Sequence, residues 1–448
     1  MRRVPSRSLL VLALGCIGYA ADGAAADLLQ TYREALANDP QYASARAAVE
    51  AGREKLPQGR ALILPTLSAT ANTTYNDATI RPRTDPTSDI QRQFNSNGWT
   101  VTLSQPLFRF QNWMQYTESE FQVRQSEAQF SQAMQDLIVR VAQAYFDVLA
   151  AQDTLAVIQA QKAAISEQLA QAKRNFEVGT ATITDTHEAQ ARFDLTVSQE
   201  IAAQNDFEIR RRTLQQLIGR FPDRLTPMRS KLELRVPEPN DMERWVDSAQ
   251  SQNYAVVVQQ AGLQIAEREI DRNRAGHYPT LDVVGTYGQT GSGASTNVNS
   301  GLGSDVKIGT IGLQLAIPLY SGGAVSSRTR EAIANREKAR ADLETSRRQA
   351  ALSARQSFLG VTNGMAQVRA LEQALVSSET ALASNKLGYE VGVRINIDVL
   401  NAQQQVFQTQ RDLSRARYDT LLNGLRLKAA AGVLGDADVE DVNRLLGE

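Results

Sequence analysis

The sequence predicts a mostly α-helical chain with a small membrane-type β portion, assembled from two copies of one helix–strand–strand–helix unit. Three observations carry that prediction. Proline is missing from Leu107 to Phe221 and from Leu319 to Glu448, and because proline inside a helix costs about 3 kcal/mol, such windows admit very long helices. Four runs of about ten residues alternate apolar and polar side chains, the length and pattern of a tilted membrane strand. Landmarks also recur at a fixed offset: Gly179, Asp185 and Gly219 are answered by Gly392, Asp398 and Gly432, each 213 positions on. A constant offset over many landmarks is the mark of a duplication.

Residues 1–26 read as a secretory signal. Arg2, Arg3 and Arg7 form a basic start, Leu9–Ile17 an apolar core too short to span a bilayer, and Ala24-Ala25-Ala26 a small-residue cleavage site. The single cysteine, Cys16, lies inside this segment, and Ala13 and Leu14 before it fit a lipidation site poorly. Removing the segment takes away three arginines and one aspartate and leaves 45 basic and 48 acidic residues. That balance offers no basic patch for a nucleic-acid partner. A cysteine-free mature chain suits an oxidising compartment.

The first unit spans residues 27–240 and the second 241–448. Pro65-Thr66-Leu67 answers Pro279-Thr280-Leu281, and Pro106-Leu107 answers Pro318-Leu319. Strands are expected at about 66–76 and 98–106, then at about 279–289 and 305–318. In the first, Leu67, Ala69, Ala71, Thr73 and Tyr75 alternate with Ser68, Thr70, Asn72 and Thr74. Trp99, Val101 and Leu103 form a second face, Leu281, Val283, Gly285 and Tyr287 a third, and Ile311, Leu313, Leu315 and Ile317 a fourth. Trp99, Tyr75 and Tyr287 would sit in an aromatic girdle, with polar outer loops at about 76–98 and 288–305.

Long helices are expected at about 107–177 and 319–390. The first would reach on the order of 100 Å. Leu137, Val141, Ala144, Val148, Ala151, Leu155, Ile158, Lys162, Ile165, Leu169, Ala172 and Phe176 step by fours and threes, with one polar break at Lys162. That is coiled-coil spacing. Each helix ends in a glycine turn, at Phe176–Asp185 and Tyr389–Asp398. Thr184 or Asn396 can cap the helix that follows, and Asp185 or Asp398 sits where its dipole favours negative charge.

Four strands cannot close a barrel, and two open edges in lipid would leave backbone groups without partners at several kcal/mol each. Three copies would supply twelve strands, so the expectation is a homotrimer. A soluble sheet packed on helices would need larger side chains on its buried face than these runs carry. No phosphate loop, nucleophile elbow or metal-ligand cluster occurs, so no enzyme activity, cofactor or metal is expected. His187 and His277 read as structural.

In architecture and in motif order the chain resembles the TolC-type outer-membrane efflux family. The carriers are Gly388-Tyr389-Glu390-Val391-Gly392-Val393-Arg394 followed by Ile397-Asp398-Val399-Leu400, Phe176-Glu177-Val178-Gly179 followed by Ile183-Thr184-Asp185, His277–Leu281, and Ile317–Gly323. The resemblance covers nearly the whole mature chain. It implies a trimeric duct: a twelve-stranded outer-membrane barrel continuing into a long periplasmic α-helical barrel. It also implies docking on an inner-membrane transporter and a periplasmic adaptor, and outward passage of drugs, small molecules or proteins. A periplasmic coiled-coil scaffold or adaptor is the alternative, against which the duplicated plan argues.

For the periplasmic mouth the resemblance implies polar links from Tyr389 and Arg394 toward Asp185, Thr184 and Gln168, in the same or an adjacent protomer. Asp398 would project toward the threefold axis, where a ring of carboxylates selects cations. The family has a second aspartate one helical turn on, where this chain has Asn401. Val178, Gly179, Val391 and Gly392 would form the tips that meet the adaptor.

Overall fold

The computed structural model describes residues 25–83, 87–222, 224–229, 234–296 and 301–447. Most of the expected signal, Cys16 included, lies outside them. Helices α1 (Leu28–Asn38), α2 (Pro40–Arg53) and α3 (Lys55–Ala61) open the chain. They lead to strands β1 (Thr66–Ile80) and β2 (Ile90–Phe108), the long helix α4 (Phe110–Glu177) and its return helix α5 (Ile183–Ile218). The plan then repeats as α6 (Met242–Gln252), α7 (Tyr254–Arg274), β3 (Thr280–Ser292), β4 (Ser304–Ala316), α8 (Ala324–Glu390) and α9 (Asn396–Ala430), with α10 (Asp436–Asn443) at the end.

Caps explain the helix starts. Asp27 accepts the Gln30 N–H, and Asp39 accepts the Tyr42 N–H ahead of Pro40 at the first helical position. In the second unit Asp241 caps α6 and Asn253 caps α7. Asp39 is buried and held by two Arg140 hydrogen bonds, at 2.7 and 3.5 Å. Burial alone would push its carboxyl up. The Arg140 hydrogen bonds, with the Tyr42 N–H, outweigh that and hold it below the usual carboxylate range.

The four strands form one antiparallel sheet in the order β1-β2-β3-β4. Registered rows run straight across it. Leu67, Leu103, Gly285 and Ile311 form one row, and Ala69, Val101, Tyr287 and Gly309 the next. This face is apolar, and none of the described residues covers it: Leu67 is 72%, Ile311 82% and Leu313 69% exposed. The opposite face carries Ser68, Thr102, Thr286 and Thr310, with the last two hydroxyls bonded at 2.6 Å. Trp99 meets Tyr287 edge-on at 5.7 Å, marking one end of the apolar band. Phe110 and Tyr278 meet at 5.5 Å near the other. Two aromatic levels around an apolar band are what a membrane strand shows.

The first hairpin runs further than the sequence suggests. Strand β1 continues to Ile80 and β2 begins at Ile90, so residues 76–80 and 90–98 of the expected loop are paired strand, and Arg81 and Asp89 clasp just beyond them at 2.6 and 2.7 Å. Past Tyr75 the alternation changes sides, with Ala78, Ile80, Ile90 and Phe94 half-buried on the face that carries Ser68 and Thr70 lower down, while backbone pairing continues. The long helices also start late. Strand β2 runs past Pro106 through a register shift, and α4 begins at Phe110 rather than 107. Helix α8 begins at Ala324 rather than 319, because Gly322 and Gly323 take φ of 61° and 79° there. At the foot of the sheet Arg109 grips the buried Asp282 through two bonds of 2.7 and 2.6 Å, joining the two units.

Midway down, α1, α4, α5, α9 and α10 share a core that includes Leu137, Tyr145, Phe146, Leu214 and Leu425. Phe146 stacks on Tyr418, whose hydroxyl donates to Asp153 at 2.9 Å. The expected heptad side of α4 is largely buried, and Lys162, its polar break, reaches Glu200 of α5 at 2.6 Å. The first and last described residues meet the link between the units in the same belt. Ala26 pairs with Leu225, and Met228 with Leu446.

Candidate functional site

Far from the sheet, α4–α5 and α8–α9 close in turns with one backbone pattern. Gly179 and Gly392 take φ of 77° and 81°, which only glycine adopts without strain. Val178 N–H and Val391 N–H donate to Arg174 and Leu387 carbonyls, each at 3.1 Å. Thr180 N–H returns to the Asn175 carbonyl at 2.8 Å, and Val393 N–H to Gly388 at 2.9 Å. Val178 is 73% and Val391 65% exposed, and Leu387, Val393 and Ile395 are exposed beside them.

The helix starts differ from the sequence expectation. The cap of α5 is Thr182, not Thr184: its hydroxyl accepts the Asp185 N–H at 3.3 Å, while Asp185 accepts the Thr182 N–H at 3.0 Å. This reciprocal pair satisfies two orphan donors. At α9 the equivalent residue is Ile395, which has no oxygen to offer. Only half the box survives, as Asp398 accepts the Ile395 N–H at 3.5 Å. Asn396 is the first helical residue, 1% exposed, and its side-chain oxygen accepts from Gln168 at 3.0 Å.

Within one chain the two hairpins are therefore joined by Gln168–Asn396, by Asn175 donating to the Tyr389 hydroxyl at 3.2 Å, and by Arg192. The Arg192 guanidinium donates to Gln404 at 2.6 Å and to Asn401 at 3.0 Å. Arg394 turns to Asp398 at 3.7 Å. Tyr389 and Arg394 are not brought to Asp185, Thr184 or Gln168 of their own chain. Thr184 is exposed. A small core of Ile165, Leu169, Ala172, Ala189 and Leu400 holds α4, α5 and α9 together above the turns. Sequence reasoning missed Asn175, Arg192 and Gln404. The Thr182-Ile183-Thr184-Asp185 spacing could have exposed Thr182, since a capping box puts an acid three residues after its hydroxyl. Nothing in the sequence singles out Arg192.

Among the described residues no group of His, Cys, Asp and Glu could hold a metal ion, and no helix is long and apolar enough to cross a membrane. The outer membrane efflux protein family profile matches residues 31–220 and 245–433, one stretch in each unit. The chain is 34% identical to the outer membrane protein TolC of Vibrio cholerae, covering 94% of this chain and 93% of the other. It is also 34% identical to the alkaline protease secretion protein AprF of Pseudomonas aeruginosa, over 94% of this chain and 87% of that one. The crystal structure of the outer membrane protein VceC from Vibrio cholerae matches with a TM-score of 0.78 at 18% identity, over 90% of this chain and 96% of that chain. The Campylobacter jejuni CmeC outer membrane channel matches with a TM-score of 0.78 at 15% identity, over 98% and 97%.

A sheet bare to lipid above two long hairpins thus defines a class, an outer-membrane exit channel and not an enzyme. It stands in the outer membrane and extends into the periplasm. The chain belongs to the outer membrane efflux protein family.

Proposed function

We propose that three copies of this chain close a twelve-stranded barrel and continue below it as one helical tube, forming the exit duct of a tripartite efflux pump or a type I secretion system. The observation that carries this is the sheet. Both of its edge strands, β1 and β4, lack a second partner within the described residues, and its apolar face is uncovered. In lipid such edges must pair, and copies of the same chain supply the pairing. A periplasmic scaffold would have no use for that face.

In this reading a periplasmic adaptor meets the exposed tips at Val178, Gly179, Val391 and Gly392, and an inner-membrane transporter supplies the energy. The Asp398 carboxylates face the axis at the mouth. Tyr389, Arg394, Asp185, Thr184 and Gln168 take part in polar links between neighbouring helices, now within the frame of Asn175–Tyr389 and Gln168–Asn396. Parting those links widens the mouth. The detergent-purified protein, added to planar bilayers, should give discrete single-channel steps. A preparation of folded protein that never conducts would contradict the duct.

A further inference from the structure

The lower end of the tube contains a positive charge that no acid neutralises. Lys162 has Glu200 at 2.6 Å, and Arg394 has Asp398 at 3.7 Å. Arg192, half-buried on α5, is held instead by two neutral amide oxygens, Gln404 at 2.6 Å and Asn401 at 3.0 Å. Among the described residues it makes no ion pair. Amide acceptors fix the guanidinium in place and leave its charge intact, whereas a carboxylate there would cancel it.

Position gives that charge a consequence. On α9 Asn401 lies one turn on from Asp398 and beside it on the same face, and Gln404 lies one turn further round. Asn401 and Gln404 are exposed, while Val399, Leu400 and Gln403 are buried on the packed side. Arg192 reaches across from α5 onto the Asp398 face, about 5 Å further along the helix. Resting on the reading above, in which this face lines the mouth, three chains place three fixed guanidiniums one turn inside three carboxylates.

We propose that Arg192 is a selectivity-determining residue: with each Asp398 already facing Arg394, the Arg192 charge tips the mouth so that it admits anions alongside cations and does not trap multivalent cations. Asn401 and Gln404 are its positioning residues. Fixed charge in a narrow mouth acts on every permeant ion, so the sign of the sum decides which ions pass.

The test is the reversal potential of bilayer-reconstituted channels under a KCl gradient. Arg192→Gln should raise the potassium-to-chloride permeability ratio several-fold, Arg192→Lys should stay near the wild type, and Asp398→Asn should lower the ratio. Should Arg192→Gln fail to assemble, Arg192→Met serves, since it removes the same charge and adds none, and should move the ratio the same way. An unchanged ratio in Arg192→Gln or Arg192→Met, with Asp398→Asn still lowering it, would overturn the role of Arg192 and leave the mouth in place. If Asp398→Asn also changes nothing, the assignment of this face to the mouth fails with it.

Discussion

Thr182 and Ile395 occupy equivalent places before α5 and α9, yet only Thr182 completes a capping box. Losing such a cap costs about 1 kcal/mol. Thr182→Ala should therefore speed hydrogen exchange of the first-turn amides of α5 roughly fivefold without changing exchange in the belt. Equal exchange would show that the cap does not hold the turn. In the belt itself, Asp39 is a buried carboxylate kept charged by Arg140. Arg140→Met leaves it unpaired and should cost about 3 kcal/mol. The pH dependence has a definite sign. Because the folded pKa of Asp39 lies below its unfolded value, its contribution is present above the unfolded carboxylate range and lost as pH falls through the folded value. Acid should thus narrow the stability gap between wild type and Arg140→Met, measured by thermal unfolding.

The sheet faces make opposite predictions from neighbouring residues. Ile311 lies on the bare apolar face and Thr310 on the polar one. An arginine at the lipid midplane costs about 2–4 kcal/mol, so Ile311→Arg should lower the yield of membrane-inserted protein while Thr310→Arg inserts normally. Equal insertion would mean the faces are wrongly assigned. These elements were legible because lipid enforces a two-residue period on Leu67–Tyr75 and Ile311–Ile317. The extensions from Asn76 to Ile80 and from Ile90 to Phe94 were not legible, since there the half-buried face is the one that is polar lower down, and a two-residue period that changes sides does not read as one strand. The late start of α8 was hidden for a different reason: Leu319 and Tyr320 are apolar enough to pass for helix, and two glycines beyond them decide otherwise. The tips were legible through Gly179 and Gly392. The inter-hairpin bonds of Asn175 and Arg192 were not, because they join side chains more than 200 positions apart, with no local signature.

At the scale of the molecule, the duplication is closed by a belt in which the segment entering α1, the link between units and the C-terminal segment are bonded together. Ala26 N–H donates to the Arg224 carbonyl at 2.8 Å, and the Ala26 carbonyl accepts from Thr226 at 3.0 Å and from the Tyr145 hydroxyl at 3.2 Å. Cleavage after Ala26, the boundary expected from the small-residue run, would remove those bonds, so we propose a mature chain that keeps Ala26. Intact-mass measurement of the exported protein should find a chain that begins at or before Ala26, and a start at Asp27 would contradict the belt. Above the belt stands the sheet, with two unsatisfied edges and one greasy face. Native mass spectrometry of the detergent-solubilised complex tests that arrangement most directly. Three copies of the chain in one particle are predicted, and a particle holding a single folded chain would contradict the account.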